Sequence, residues 1–469
     1  MNFFKKTACI VLLMAVGALY ANDIKVSNVA FNKKKGTVNF ELYWENGWKN
    51  SKNHDAAWAF VKLIDTKGNY VHGTLGNSSH TITAINGPEG DLSVPEDRVG
   101  VFVAPGAMHR GDVHWNVQLM LDASVLKNLP ENVTAQVFAI EMVYVPKGSF
   151  YVGATEKEAI DYASFYESDA SGNPVGPYHI TSENQAIKVG PEEGNLYYQI
   201  GNSPYRGDHE GTVPSAFPKG HDAFYIMKYE TTQGLYCDFL NAIPAHLASK
   251  LSPHEVEKYY EKKGGIRYNN DQYKADTYNR PANFITWDDG ASFADWAGLR
   301  PMTELEFTKA ARGIADPLVH EFPWGTDNTA ALKRKVALTD ELILEDGISE
   351  ADLNDTNRQV YGASYYWVMD LAGSLWEKCV TIGHPIGRNY QGTHGDGSLS
   401  EDGSATNEDW PKGINEEGGY GYRGGGYYYH DMKISDFNPH SPTSYRPYGS
   451  WSGGPRSIAY SQRYVRTTQ

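Results

Sequence analysis

The chain has 469 residues, 41% hydrophobic and 21% charged, enough for two or three domains of about 100–200 residues each and too apolar for wholesale disorder. Its 57 acidic residues outnumber 42 basic ones, a net charge of −15, which argues against nucleic acid as a partner. The 47 glycines show no three-residue period, so collagen is excluded, and the 32 tyrosines and 11 tryptophans suit either a β-rich core or a recognition surface.

The N-terminus reads as an address. Lys5 and Lys6 precede an apolar run at 8–19 that is shorter than the ~20 residues needed to span a bilayer. Ala21 fits a cleavage position, so residues 1–21 are expected to be a secretory signal peptide. The expected destination is the periplasm, cell surface or exterior. Cys9 lacks a lipobox, and no later stretch could form a transmembrane span. Beyond the signal only Cys237 and Cys379 remain. Export permits a disulfide, but two buried thiols are the expectation.

Residues 22–138 are expected to form an all-β sandwich of roughly immunoglobulin type. Val38, Phe40, Leu42 and Trp44 alternate within 37–44, as do Val113, Trp115, Val117, Leu119 and Leu121 within 113–121. The runs 57–65 and 99–104 are more continuously apolar, as in central strands. His54, Asp55, His109 and His114 are scattered and make no catalytic constellation.

A second unit is expected over 141–469. It opens on a strand pair at 141–153 and carries an inserted loop region at 154–222, poor in apolar runs. A strand then ends near Glu230, and a helix starts from about Thr232, burying Leu235, Tyr236 and Phe239. Asp288 is the expected N-cap of the next helix and Gly298 its terminator. Thr303 and Glu306 form a capping box for another, closed by Gly313. Arg300, Glu304, Glu306 and Arg312 are expected to pair structurally.

These segments, in order, resemble the formylglycine-generating enzyme or sulfatase-modifying factor superfamily. The match runs through Met142 to Gly153, Glu230 to Phe239, residues 285–313, Phe322 to Gly325, Asp370 to Lys378 and Arg423 to Tyr427. The resemblance implies an α+β architecture, the C-type-lectin-like fold of that superfamily. It also implies copper-dependent oxidation of a sulfatase cysteine, by two thiols that follow the late glycine-rich motif. Those positions fall at Tyr429 and Ile434, and no cysteine follows Cys379. Copper is therefore not expected, and no catalytic residue is assigned. The related sulfoxide synthases need a helical three-histidine domain that the β-patterned N-terminus does not offer.

The resemblance further implies calcium, held by the Asp370 and Glu377 side chains and the Gly373 and Leu375 carbonyls. Oxygen donors in a short loop suit a hard cation. Ser374 and Lys378 replace the usual Asn and Trp there. The loop at 394–403, with Asp396 and Asp402, matches no EF-hand spacing.

The C-terminal region is rich in Tyr, Gly and Ser, as binding surfaces are. Tyr427, Tyr428, Tyr429, Tyr445, Tyr448 and Trp451 are the expected ligand-binding residues. Together these features favour an exported, non-oxidase binding module for a glycan or envelope protein, stabilised by calcium. Two alternatives stand beside it: an enzyme of the same superfamily with altered chemistry, and a structural part of an envelope or motility assembly.

Overall fold

Alternating apolar residues set the first strands: β1 (Lys25–Asn32), β2 (Thr37–Lys49), β3 (Asp55–Asp65), β4 (Tyr70–His72), β5 (Thr81–Asn86), β6 (Gly90–Ser93), β7 (Val101–Pro105), β8 (His109–Met120) and β9 (Val133–Val145). The computed structural model describes residues 24–127, 129–153, 163–198, 207–336, 342–345, 347–413, 418–426 and 441–468. The expected signal peptide and Tyr427, Tyr428 and Tyr429 lie outside them. Among the described residues no helix is long and apolar enough to cross a membrane.

One four-stranded sheet has the order β1-β2-β8-β5. Val38, Phe40, Leu42 and Trp44 of β2 face inward, each at most 2% exposed, so the period-2 pattern reports a real inner face. They share a core with Ala57, Val61 and Leu63 of β3 and with Val101 and Val103 of β7. The opposite face of β3, with Ala56, Trp58 and Phe60, is buried in a second core built largely from the C-terminal half. Burial on both faces explains why β3 reads as a continuous apolar run.

The second sheet links the two halves of the chain. It runs from β6, β7, β3 and β9 to the strands Phe224–Met227, Tyr464–Thr467 and Arg300–Pro301. β9 pairs with β3 from Val133 opposite Asp65 to Val143 opposite Asp55. Its C-terminal end, Met142 to Val145, pairs on the other side with Phe224–Met227. The boundary expected between 138 and 141 thus falls inside one unbroken strand.

The region 154–222 was expected as an inserted loop, and the structure corrects this. It holds short strands, among them Phe165–Ser168, Ile187–Val189, Leu196–Tyr198 and Gly211–Val213, within a five-stranded sheet. Strands of three or four residues carry too few apolar positions to show a period, and their turn residues dominate the local composition.

The helices follow their caps. Thr232 caps Gln233–Asn241, accepting from Leu235 N. The Trp287–Trp296 helix is capped by Thr286 in a capping box with Asp289, two residues before the expected Asp288. Either residue type can cap, and Thr286 has the acidic partner three residues on. Thr303 and Glu306 form the expected box for Glu304–Arg312. Gly298 (φ 69°) and Gly313 (φ 68°) end their helices in the left-handed region. The resulting architecture is α+β and rich in sheet.

Candidate functional site

The loop expected to hold calcium starts at Asp370, in left-handed backbone (φ 60°), and runs into the strand Trp376–Val380. Both Asp370 oxygens accept from Arg334, Oδ1 from Nε at 2.7 Å and Oδ2 from Nη2 at 2.8 Å. Both Glu377 oxygens accept from Arg463, Oε2 from Nε at 2.6 Å and Oε1 from Nη2 at 2.7 Å. Glu377 and Arg463 are fully buried. Leu375 N donates to Glu230 Oε1 at 3.2 Å. Among the described residues, no three His, Cys, Asp or Glu side chains converge on a point that could hold a metal. The donor set of Asp370, Gly373, Leu375 and Glu377 does not fit calcium as it stands, because both carboxylates already face a guanidinium fork edge to edge.

The aromatic surface is built on a buried ion cluster. Glu304 accepts from Arg446 twice, Nε to Oε2 at 2.6 Å and Nη2 to Oε1 at 3.0 Å. It also accepts from Thr381 Oγ1 at 2.9 Å, Ile382 N at 3.0 Å and Arg423 Nη1 at 3.4 Å. Arg446 lies over the Phe165 ring, 3.9 Å from its centroid, and so clamps the segment 441–452 to the core. With Arg446 turned in, Tyr448 turns out, at 37% exposure, while Tyr445 and Trp451 are half-buried. The Tyr448 ring centroid lies 5.7 Å from Trp451 and 5.5 Å from Trp376. Trp451 in turn packs 5.6 Å from Tyr422 and 6.1 Å from Tyr460. Tyr448 and Trp451 therefore form one stepped platform. Tyr445 packs against the same core.

Arg300 donates twice to Glu306, from Nη2 at 2.6 Å and from Nη1 at 2.9 Å, and Arg312 pairs with Glu321. All four are buried and far more suited to holding the fold than to chemistry. Cys237 and Cys379 are buried free thiols. Burial pushes the Cys237 thiol up to about 12 and the Cys379 thiol well above its usual range, so neither is a ready thiolate.

Lys378 lies beside Tyr422 and Tyr460, the two rings that pack against Trp451. Its Nζ donates to Ile285 O at 2.7 Å and sits 5.8 Å from the Tyr422 centroid. Burial lowers its ammonium from 10.5 to about 7. The unfolded chain therefore binds one more proton between about pH 7 and 10.5, and stability rises with pH across that window. Urea titrations at pH 7 and 10 should show a more positive stability change with pH in the wild type than in Lys378→Met. An equal pH response in both proteins would refute the assignment.

A cavity of about 730 Å³ lies beside the 370–377 loop, with Ile140, Met227 and Leu235 on its apolar side and Glu141, Glu230 and Arg334 on its polar side. Arg334, Arg446 and Glu230 were not legible as site residues. Arg334 sits between Lys333 and Lys335 and Arg446 in a segment without regular structure, and the partners that give them meaning are 36 and 142 residues away.

Residues 127–457 match the model of the family described as sulfatase-modifying factor enzyme 1-like domain. The chain is also similar to the formylglycine-generating enzyme of Thermomonospora curvata, 29% identical over 105 residues, which is 22% of this chain and 34% of that enzyme. The chain thus spans about a third of the length of this curated relative.

Proposed function

The chain belongs to the family of sulfatase-modifying factor enzyme 1-like domains, and from that premise we propose that it is an exported, non-oxidase member that binds a glycan at the cell envelope. In this reading a β-sandwich precedes a C-type-lectin-like domain, and Tyr445, Tyr448 and Trp451 belong to the binding face. The platform carries the proposal. Tyr448 and Trp451 pack on each other in a segment anchored by the Arg446–Glu304 pair, so they lose little freedom when a ligand stacks on them. The missing thiols support a binding role over oxidation, since soft thiolates are what copper(I) requires.

The test is a glycan array probed with the purified chain. Saturable binding is expected, weakened about tenfold or more in Tyr448→Ala and Trp451→Ala. Failure of the folded protein to bind any glycan would sink this reading and turn attention to a protein partner at the same face.

A second reading, an enzyme of altered chemistry, draws on the cavity beside the loop. Burial and the neighbouring Glu377 carboxylate hold the Glu230 proton well above the usual carboxylate range, a property of general acids. Turnover unaffected by loss of Tyr448 but abolished in Glu230→Gln would favour it.

A further inference from the structure

We propose that in this chain two arginines, Arg334 and Arg463, replace the divalent cation that the family pattern assigns to the 370–377 loop, so that the fold needs no calcium. Every oxygen of the two loop carboxylates is engaged in a two-point guanidinium contact, at 2.6 to 2.8 Å. The guanidinium groups have further acceptors of their own. Arg334 Nη1 donates to Glu350 Oε1 at 3.3 Å, and Arg463 Nη1 donates to the Met227 and Lys228 carbonyls at 3.2 and 3.1 Å.

The exchange is physically reasonable on three counts. A planar fork matches a carboxylate edge to edge, which a lysine ammonium does not. Calcium needs about six to eight oxygens at about 2.3–2.6 Å, and one edge of each loop carboxylate is occupied by a cationic guanidinium instead. Seating the ion would displace at least one buried guanidinium from its two-point carboxylate contact, an unfavourable change in a desolvated site.

Arg334 reaches the loop from the hairpin of Arg334–Val336 and Leu342–Leu344, and Arg463 reaches it from just before the last strand. Two remote segments are thus tied to one loop. This gives the ion pairs the same cross-linking role that a shared metal would have.

The experiment is thermal unfolding of the purified full chain in calcium and in chelator, with metal analysis after dialysis. The expected result is a midpoint unchanged within ~1 °C and no calcium retained. About one calcium per chain, or a midpoint lowered by several degrees in chelator, would overturn the proposal. Arg334→Gln adds a second arm. It is expected to lower the midpoint by several degrees in both media, whereas a variant as stable as the wild type in chelator would remove Arg334 from its assigned role. If Arg334→Gln does not fold, the wild-type comparison still decides.

Discussion

Glu304→Gln is expected to lower the unfolding free energy by ~3–5 kcal/mol, read from the shift of the urea midpoint. The substitution preserves shape and removes one charge. Arg446 and Arg423, both at most 1% exposed, would then face each other in the core without the carboxylate that neutralises them. Glutamine could still accept from Thr381 and Ile382 at the Oε1 position, but its amide nitrogen would present hydrogens where Arg446 Nε and Arg423 Nη1 donate. The effect should extend to the platform, because Arg446 is the clamp that orients Tyr448 and Trp451. A loss under ~1 kcal/mol would mean the cluster is relaxed enough to admit water and is not the anchor described above.

The second large effect is expected at Trp58, where the N-terminal strands meet the C-terminal core. Its Nε1 donates to Ala297 O at 2.8 Å, and its ring packs 4.7 Å from Phe102, centroid to centroid. Arg466 lies 4.3 Å over the same ring while pairing with Asp97 and donating to Gly298 O. Trp58→Ala should cost ~3–5 kcal/mol by opening a cavity, with Ala297 O losing its indole donor in addition. The wild type should unfold in one transition, with tryptophan fluorescence and far-ultraviolet circular dichroism superimposing, because the seam is a shared sheet. Two separated transitions in the wild type would contradict that.

Much of the fold was legible because it is written in local chemistry. Thr303, Glu306 and Gly313 specify a helix from its ends, and Val38, Phe40, Leu42 and Trp44 specify a strand face. What escaped was short or long-range. The strands between residues 165 and 213 are too brief to show a period, and β9 pairs with β3 along most of its length while gaining Phe224–Met227 as a second neighbour only at its C-terminal end. The site divides in the same way. Tyr448 and Trp451 could be picked out by type and neighbourhood, whereas the ion pairs of Asp370 and Glu377 depend on Arg334 and Arg463, which only the folded chain brings near.

The unbroken β9 also constrains how such a protein can be divided or recombined. β3 has eleven backbone positions registered against it. A chain severed near residue 138 would leave Asp55 to Ala59 of β3 open on one fragment, and the positions 139–143 of β9 that pair with them open on the other. Open edges of this kind recruit strands from other molecules. A gene exchange that respects the composition boundary would therefore produce two sticky halves. One that respects the hydrogen bonds must move β9 together with the strands on both of its sides.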